Sequence, residues 1–113
     1  MWSFLTNHLH VLACIDSDPA IRLRDVAILV GITERAAQSM VADLAQEGYI
    51  TRRRVGRRNR YEVHHGTPLH HPLEHGVTVG TLLDSMRRRY GNGSLILAAA
   101  ADAGSASSAT NAL

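Results

Sequence analysis

Six arginines lie within nine positions of this chain, at Arg52, Arg53, Arg54, Arg57, Arg58 and Arg60. A guanidinium stays positively charged at any physiological pH and binds phosphate or carboxylate oxygens through paired hydrogen bonds. Like charges repel, so folding alone gives no reason to gather them. The cluster therefore indicates an anionic partner, against the plainer alternative that it is only solvated surface.

A second group of polar side chains lies upstream, on what we predict to be one face of a helix. Arg35 and Gln38 have the chemistry to read base edges in a major groove, and Thr33 suits a phosphate. Glu34 could accept a hydrogen bond from a cytosine amine, but a favourable interaction with the helix dipole is the simpler explanation for a glutamate at this position. The alternative for the whole group is an ordinary solvent-exposed face. The group consists of Thr33, Glu34, Arg35, Gln38 and Ser39.

The helix that would carry this polar group spans residues 33–47. Thr33 is a good N-cap, because its hydroxyl can accept a hydrogen bond from an amide of the first turn. Gly48 suits a left-handed C-terminal cap. The other face is predicted to be buried, since apolar residues recur there at the helical period, at Ala37, Val41 and Leu44.

Two shorter helices are expected before this one. The first runs from about Asn7 to Asp16 with Thr6 as its cap, and the second spans Leu23–Val30. Gly31 permits the positive φ that a sharp turn into the next helix requires. Their predicted buried residues are Leu5, Leu9, Leu12 and either Ala13 or Ile15 in the first, and Val26, Ala27 and Val30 in the second.

Two flanking segments complete the N-terminal half. Trp2, Phe4 and Leu5 are expected to cover one end of the core. Residues 16–19 form a turn, because Pro19 lacks an amide proton and biases Asp18 away from helix. Ile21–Arg22 is expected to form a short strand that pairs with the later hairpin.

Residues 49–63 predict a β-hairpin that places the arginines at its tip and on its outward face. Gly56 and Asn59 supply the turn chemistry. The return strand has a period of two. Tyr61 and Val63 share one face, which is predicted to point inward, and Arg60 and Glu62 share the outward face.

A connector broken by prolines and glycines leads to a last helix, capped by Thr78 and ending near Tyr90. Its apolar side is too extensive to leave in water, so it packs on its own domain or on a second copy. We expect homodimerisation through this helix and the first one, with Val79, Leu82, Leu83 and Met86 in the contact. Residues 91–113 are predicted to be a low-complexity, disordered tail.

Composition limits the class of protein. The 113 residues are 45% hydrophobic and carry a net charge of +2, which predicts one soluble domain with a small core. Cys14 is the only cysteine, so no intramolecular disulfide is possible and a reducing cytosol is expected. No signal segment is expected, since the N-terminus lacks a charged and then apolar stretch, and the longest apolar run, Leu95–Ala101, is far too short to span a bilayer. A cytoplasmic protein without a membrane partner is predicted.

Histidines and the cysteine are the remaining reactive groups. Five histidines lie between His64 and His75, and His71 and His75 have a spacing that zinc sites use. Prolines interrupt the cluster, so we prefer surface histidines and predict no metal or other cofactor. Cys14 is expected to be a small buried hydrophobe rather than a redox sensor. No catalytic triad spacing or phosphate-binding glycine loop occurs, so an enzyme is not expected.

The segment LRDVAILVGITERAAQSMVADLAQEGYITRRRVGRRNRYEV, residues 23–63, resembles the winged helix-turn-helix of bacterial transcription regulators. It is similar to MarR-like and related small regulators. It also resembles short actinobacterial proteins that continue into a His-Pro-Leu-Glu connector, here residues 71–74, and a leucine-bearing helix. The resemblance covers about residues 4–88. Ser39 departs from it, because relatives often place a basic residue there.

The resemblance implies a mainly α fold with a small β-wing and a C-terminal dimerisation helix. Residues 1–65 would form the DNA-binding domain, residues 66–90 the connector and helix, and residues 91–113 the tail. It further implies a homodimeric, sequence-specific regulator of transcription that binds double-stranded DNA. Helix 33–47 would enter the major groove and wing 52–60 would lie on the backbone or in the minor groove.

The DNA contacts expected from this arrangement are Thr33, Glu34, Arg35, Gln38, Ser39, Arg54, Arg57, Arg58, Asn59 and Arg60. Two alternatives stay open. The same fold could be an adaptor whose basic wing docks an acidic protein. It could also be a metal-responsive regulator that uses the His64–His75 connector.

Overall fold

A computed structural model describes residues 2–90, with side chains through Arg87. The predicted tail therefore lies outside the described residues. The described part is mainly helical with one two-stranded antiparallel sheet, which confirms the predicted fold class in this coarse form. Its elements are α1 (Asn7–Ser17), α2 (Leu23–Val30), α3 (Glu34–Gln46), β1 (Ile50–Val55), β2 (Arg58–Val63), a 3-10 turn (Pro72–Glu74) and α4 (Val79–Tyr90).

The core forms where α1, α2 and α3 pack against one another. α1 supplies Val11, Leu12 and Ile15, and α2 and α3 add Val26 and Val41, all with less than 2% of their surface exposed. Burial of this apolar surface is the main favourable contribution to folding. Ala37 and Leu44 are buried beside Val41, as the helical period predicts.

Local signals place the helix boundaries well. α2 has the predicted bounds, and Gly31 follows it with a φ of 84°. The hydroxyl of Thr33 accepts a hydrogen bond from the Ala36 amide at 3.0 Å, which confirms the predicted cap of α3. Thr6 stands at the start of α1, but its side chain makes no capping hydrogen bond.

The hairpin pairs Ile50 with Val63 at its base and Val55 with Arg58 at its tip. Its loop has two residues, and Gly56 takes the positive φ of 63° that such tight loops need at their first position. Asn59 is not a turn residue as predicted. It belongs to β2, because the two-residue loop already ends at Arg57.

The predicted strand at Ile21–Arg22 is wrong. The segment before α2 meets β2 through one backbone bond, from the Tyr61 amide to the Pro19 carbonyl at 2.9 Å. Pro19 has no amide proton to extend a ladder, and α2 already begins at Leu23. Ile21 instead turns its side chain into the core, where 7% of it is exposed.

The N-terminal arm does not cover the core as predicted. Trp2 and Phe4 are 73% and 90% exposed and contact each other edge to face. Leu5 is 38% exposed. The core is closed instead by Val79 and Leu83 of α4, which are 2% and 1% exposed.

α4 is held against the rest of the domain by close backbone and polar contacts. The Gly80 amide donates to the His65 carbonyl at 2.9 Å, so close that a Cβ on Gly80 would lie 2.7 Å from that oxygen. Asp16, with 5% of its side chain exposed, contacts His65 at 2.7 Å and Arg87 at 3.4 Å. None of the described helices is long and apolar enough to cross a bilayer.

Candidate nucleic-acid interface

The polar face of α3 is open to solvent. Burial of Ala37, Val41 and Leu44 fixes the rotation of the helix and turns its other side outward. Nothing in the described part of the chain covers that side. All five side chains predicted from the sequence are exposed there, namely Thr33, Glu34, Arg35, Gln38 and Ser39. Thr33 uses its hydroxyl oxygen as the helix cap but keeps its hydroxyl proton for a further acceptor.

The arginines of the hairpin are divided between its two faces by the strand register. Arg52 and Arg54 share a face with the buried Tyr61, since side chains alternate along a strand. Arg53 and Arg60 project from the opposite face, directly across from each other. Directly opposed like charges destabilise a sheet, so this pair is a cost to folding that a bound anion would remove.

These six arginines are exposed, and in residues 2–90 none of them forms an ion pair with a carboxylate. Among their side chains, only that of Arg58 makes a hydrogen bond within the described residues, donating from Nη2 to the Ala20 carbonyl at 2.6 Å. Asn59 is half-buried opposite Arg54. The predicted contact residues of the hairpin are thus free to meet a partner, apart from that one donor.

α2 sets the spacing between the two predicted contact elements. The hairpin tip lies beside its first residues, where Arg22 and Leu23 line a cleft together with Arg57 and Arg58. α3 begins just after its last residue, across the turn at Gly31. The eight residues of α2 rise about 12 Å along the helix axis. The start of α3 and the hairpin tip are therefore offset by roughly that distance along α2.

Arg22 is a candidate contact that the sequence did not single out. It lies far from the arginine cluster along the chain, and only the docking of the hairpin on the segment before α2 brings it to the tip. A basic residue at the start of the second helix was the available signal. Pattern alone gave no reason to choose it over Arg24.

The predicted dimerisation residues fall into two groups. Val79 and Leu83 are buried inside their own chain, and Leu82 and Met86 are partly covered by the same core. A groove of about 240 Å³ runs between α1 and α4, with Leu9, Leu12 and Leu82 among its apolar walls. Phe4 and Leu5 stand at its rim. An apolar contact surface therefore exists beside α1 and α4, built from fewer α4 side chains than predicted.

Four of the five histidines between His64 and His75 make separate side-chain contacts. His71 begins the 3-10 turn, where its Nδ1 accepts from the Leu73 amide at 3.0 Å. In the described part of the chain, no three histidine, cysteine or acidic side chains are grouped to hold a metal ion. The other partners are Thr51 for His64, Asp16 for His65 and Glu47 for His70.

Cys14 faces the core from α1. Burial raises the pKa of its thiol from about 9 to about 11, because a thiolate would lose its hydration there. A protonated thiol is a poor nucleophile, so this environment suits a packing role.

Burial also raises the pKa of Tyr61, whose ring anchors β2 to the core.

Comparison of the chain with protein-family models, characterised proteins and solved structures found no match.

Proposed function

We propose that this chain is a winged helix-turn-helix regulator of transcription that binds double-stranded DNA as a homodimer. In this proposal α3 enters the major groove, the hairpin is the wing, and the protein works in the cytoplasm. The observation that carries it is the hairpin itself. Six exposed arginines without carboxylate partners in the described residues stand on one ribbon, and the polar face of α3 is also uncovered.

The spacing along α2 supports a single binding surface. The start of α3 and the hairpin tip are offset by roughly 12 Å, the rise of eight helical residues. The major groove of B-DNA is about 12 Å wide. In the proposed complex α2 would run across the groove edge, with α3 in the groove and the hairpin arginines near the phosphates.

Polar chemistry supports base contacts by α3. Gln38 can bond an adenine through two hydrogen bonds, and Arg35 can do the same with a guanine. Both are exposed near the N-terminal end of the helix, the end that enters the groove in helix-turn-helix proteins. Glu34 in the first turn complements the helix dipole in this arrangement.

The homodimer is supported by the apolar surface beside α1 and α4. Trp2 and Phe4 leave most of their rings in water, and Leu82 and Met86 are only partly covered. Two such surfaces related by a twofold axis would bury the same groups twice. Two DNA-binding units would then read two half-sites, which multiplies affinity and specificity.

Selection of bound duplexes from a random pool tests the proposal most directly. We expect an enriched motif with inverted half-sites. Enrichment of no sequence above the starting pool would contradict sequence-specific binding. Capture of an acidic protein that survives nuclease treatment would favour the adaptor alternative instead.

A pair of glutamine variants then tests the position of α3. Gln38→Ala should weaken binding to the selected site by about 1–3 kcal/mol and relax the preference at one base pair. Gln46→Ala is the matched control, because Gln46 is an exposed glutamine at the far end of the same helix. Equal effects of the two variants would show that the N-terminal half of α3 does not read the bases.

A further inference from the structure

A cleft of about 370 Å³ lies between the hairpin tip and the start of α2. Two side chains at its edge, Leu23 and Tyr61, are apolar or aromatic. The others are three arginines and an amide, namely Arg22, Arg57, Arg58 and Asn59. Three arginines from two separate parts of the chain thus line one space.

Two hydrogen bonds build this cleft. The Tyr61 amide donates to the Pro19 carbonyl at 2.9 Å, and Nη2 of Arg58 donates to the Ala20 carbonyl at 2.6 Å. Together they hold β2 against the segment that leads into α2. A guanidinium has five donors, so Arg58 keeps others for a ligand while it is fixed in place.

The charge in the cleft is not balanced by the protein. No carboxylate lines it, and within residues 2–90 none of its three arginines forms an ion pair. Arg22 stands at the N-cap of α2, yet its side chain makes no capping bond. Three unneutralised guanidinium groups around one space favour an anion with several acceptor oxygens.

We propose that this cleft binds one phosphate group of the DNA backbone, with Arg22 as a contact residue in addition to Arg57 and Arg58. The inference rests on the proposed function and makes it more specific. It places the hairpin tip on the sugar–phosphate backbone. The sequence alone did not decide between the backbone and the minor groove. Asn59 supplies a further donor at the wall of the cleft.

A pair of arginine variants tests the cleft in the full-length chain. Each phosphate contact contributes about 0.9 to the slope of log K against log salt, so its loss weakens binding about eightfold at 0.1 M salt. Arg22→Ala should show both changes. Arg24→Ala removes the same charge two residues further along α2, outside the cleft, and should change affinity less than about twofold with an unaltered slope.

Arg22→Lys should keep most of the slope, because an ammonium also contacts a phosphate as a point charge. Equal effects of Arg22→Ala and Arg24→Ala on affinity and slope would overturn the proposal. A melting curve controls for folding. Arg22 is exposed and makes no side-chain capping bond, so its variants should unfold at the wild-type temperature.

A titration with inorganic phosphate separates this inference from the proposed function, because it needs no DNA. Backbone amide resonances of residues 22–23 and 57–59 should shift together and saturate, while those of Arg24 and Arg35 should stay in place at matched ionic strength. Saturating shifts confined to the cleft support a phosphate site even if no duplex binds. Shifts spread evenly over all arginines, or none, would refute it.

Discussion

The two arginines that face each other across the hairpin make a test that needs no DNA. Arg53 and Arg60 are directly paired in the register and project from the same face. Changing Arg60 to glutamine removes one positive charge and keeps an unbranched, polar side chain at that position. We expect Arg60→Gln to raise the free energy of unfolding of the free protein, because it relieves a repulsion that the fold maintains.

The expected size of that gain follows from the geometry. Directly opposed side chains have Cβ atoms about 5 Å apart, and such pairs change stability by about 0.2–1 kcal/mol. Both arginines are exposed, and Glu62 on the same face offsets part of their charge. We therefore expect about 0.5 kcal/mol, which raises Tm by about 2–4 °C in a domain of this size.

Thermal and urea unfolding at low salt measures this gain, and a double-mutant cycle with Arg53→Gln isolates the pair. Arg54→Gln is the matched control, because Arg54 faces the uncharged Asn59. The gain should vanish in 1 M salt, where the screening length is about 3 Å. A destabilised Arg60→Gln protein, or an equal gain from Arg54→Gln, would refute the reasoning.

Three further predictions concern stability. Asp16→Ala should cost about 1–3 kcal/mol in urea unfolding, since it removes an almost fully buried carboxylate that contacts both His65 and Arg87, whereas Asp84→Ala removes an exposed carboxylate and should cost less than about 0.5 kcal/mol. Gly80→Ala forces a Cβ to 2.7 Å from a carbonyl oxygen and should cost about 1–3 kcal/mol, while Gly66→Ala meets nothing within 4 Å and should cost little. Burial raises the Cys14 pKa to about 11, so the stability that the neutral thiol contributes below about pH 9 should be lost as pH rises toward 11. In urea unfolding across this pH range, a Cys14→Ala protein should lose less stability than the wild type, and the remaining loss includes that of Tyr61, whose pKa burial also raises.

Local chemistry explains which parts of the fold could be predicted from the sequence. Thr33 and Gly31 mark helix ends through a side-chain cap and a positive φ, both of which depend on a few neighbouring residues. The period of two in β2 correctly placed Tyr61 inside and Arg60 outside. The prediction of a strand at Ile21–Arg22 was wrong, because Pro19 has no amide proton with which to extend the pairing to β2.

Tertiary contacts explain the rest. A stripe containing Val79 and Leu83 predicts burial, but its period is the same whether the cover is the chain's own core or a second copy. Trp2 and Phe4 are hydrophobic, yet both stay exposed and the core is closed by α4 instead. Arg22 lies at the candidate site only because the Tyr61 amide bonds the Pro19 carbonyl. These two residues are far apart in the sequence, so no local pattern predicts their contact.

The open edges of the hairpin have a consequence for the behaviour of the protein in solution. A two-stranded ribbon exposes unpaired backbone groups along both sides, where strands of other molecules can add and start aggregation. Pro19 occupies part of the edge of β2, and β1 carries three consecutive arginines. Removing several hairpin arginines at once should therefore lower solubility, so the residues we assign to DNA also keep the molecules apart when no DNA is present.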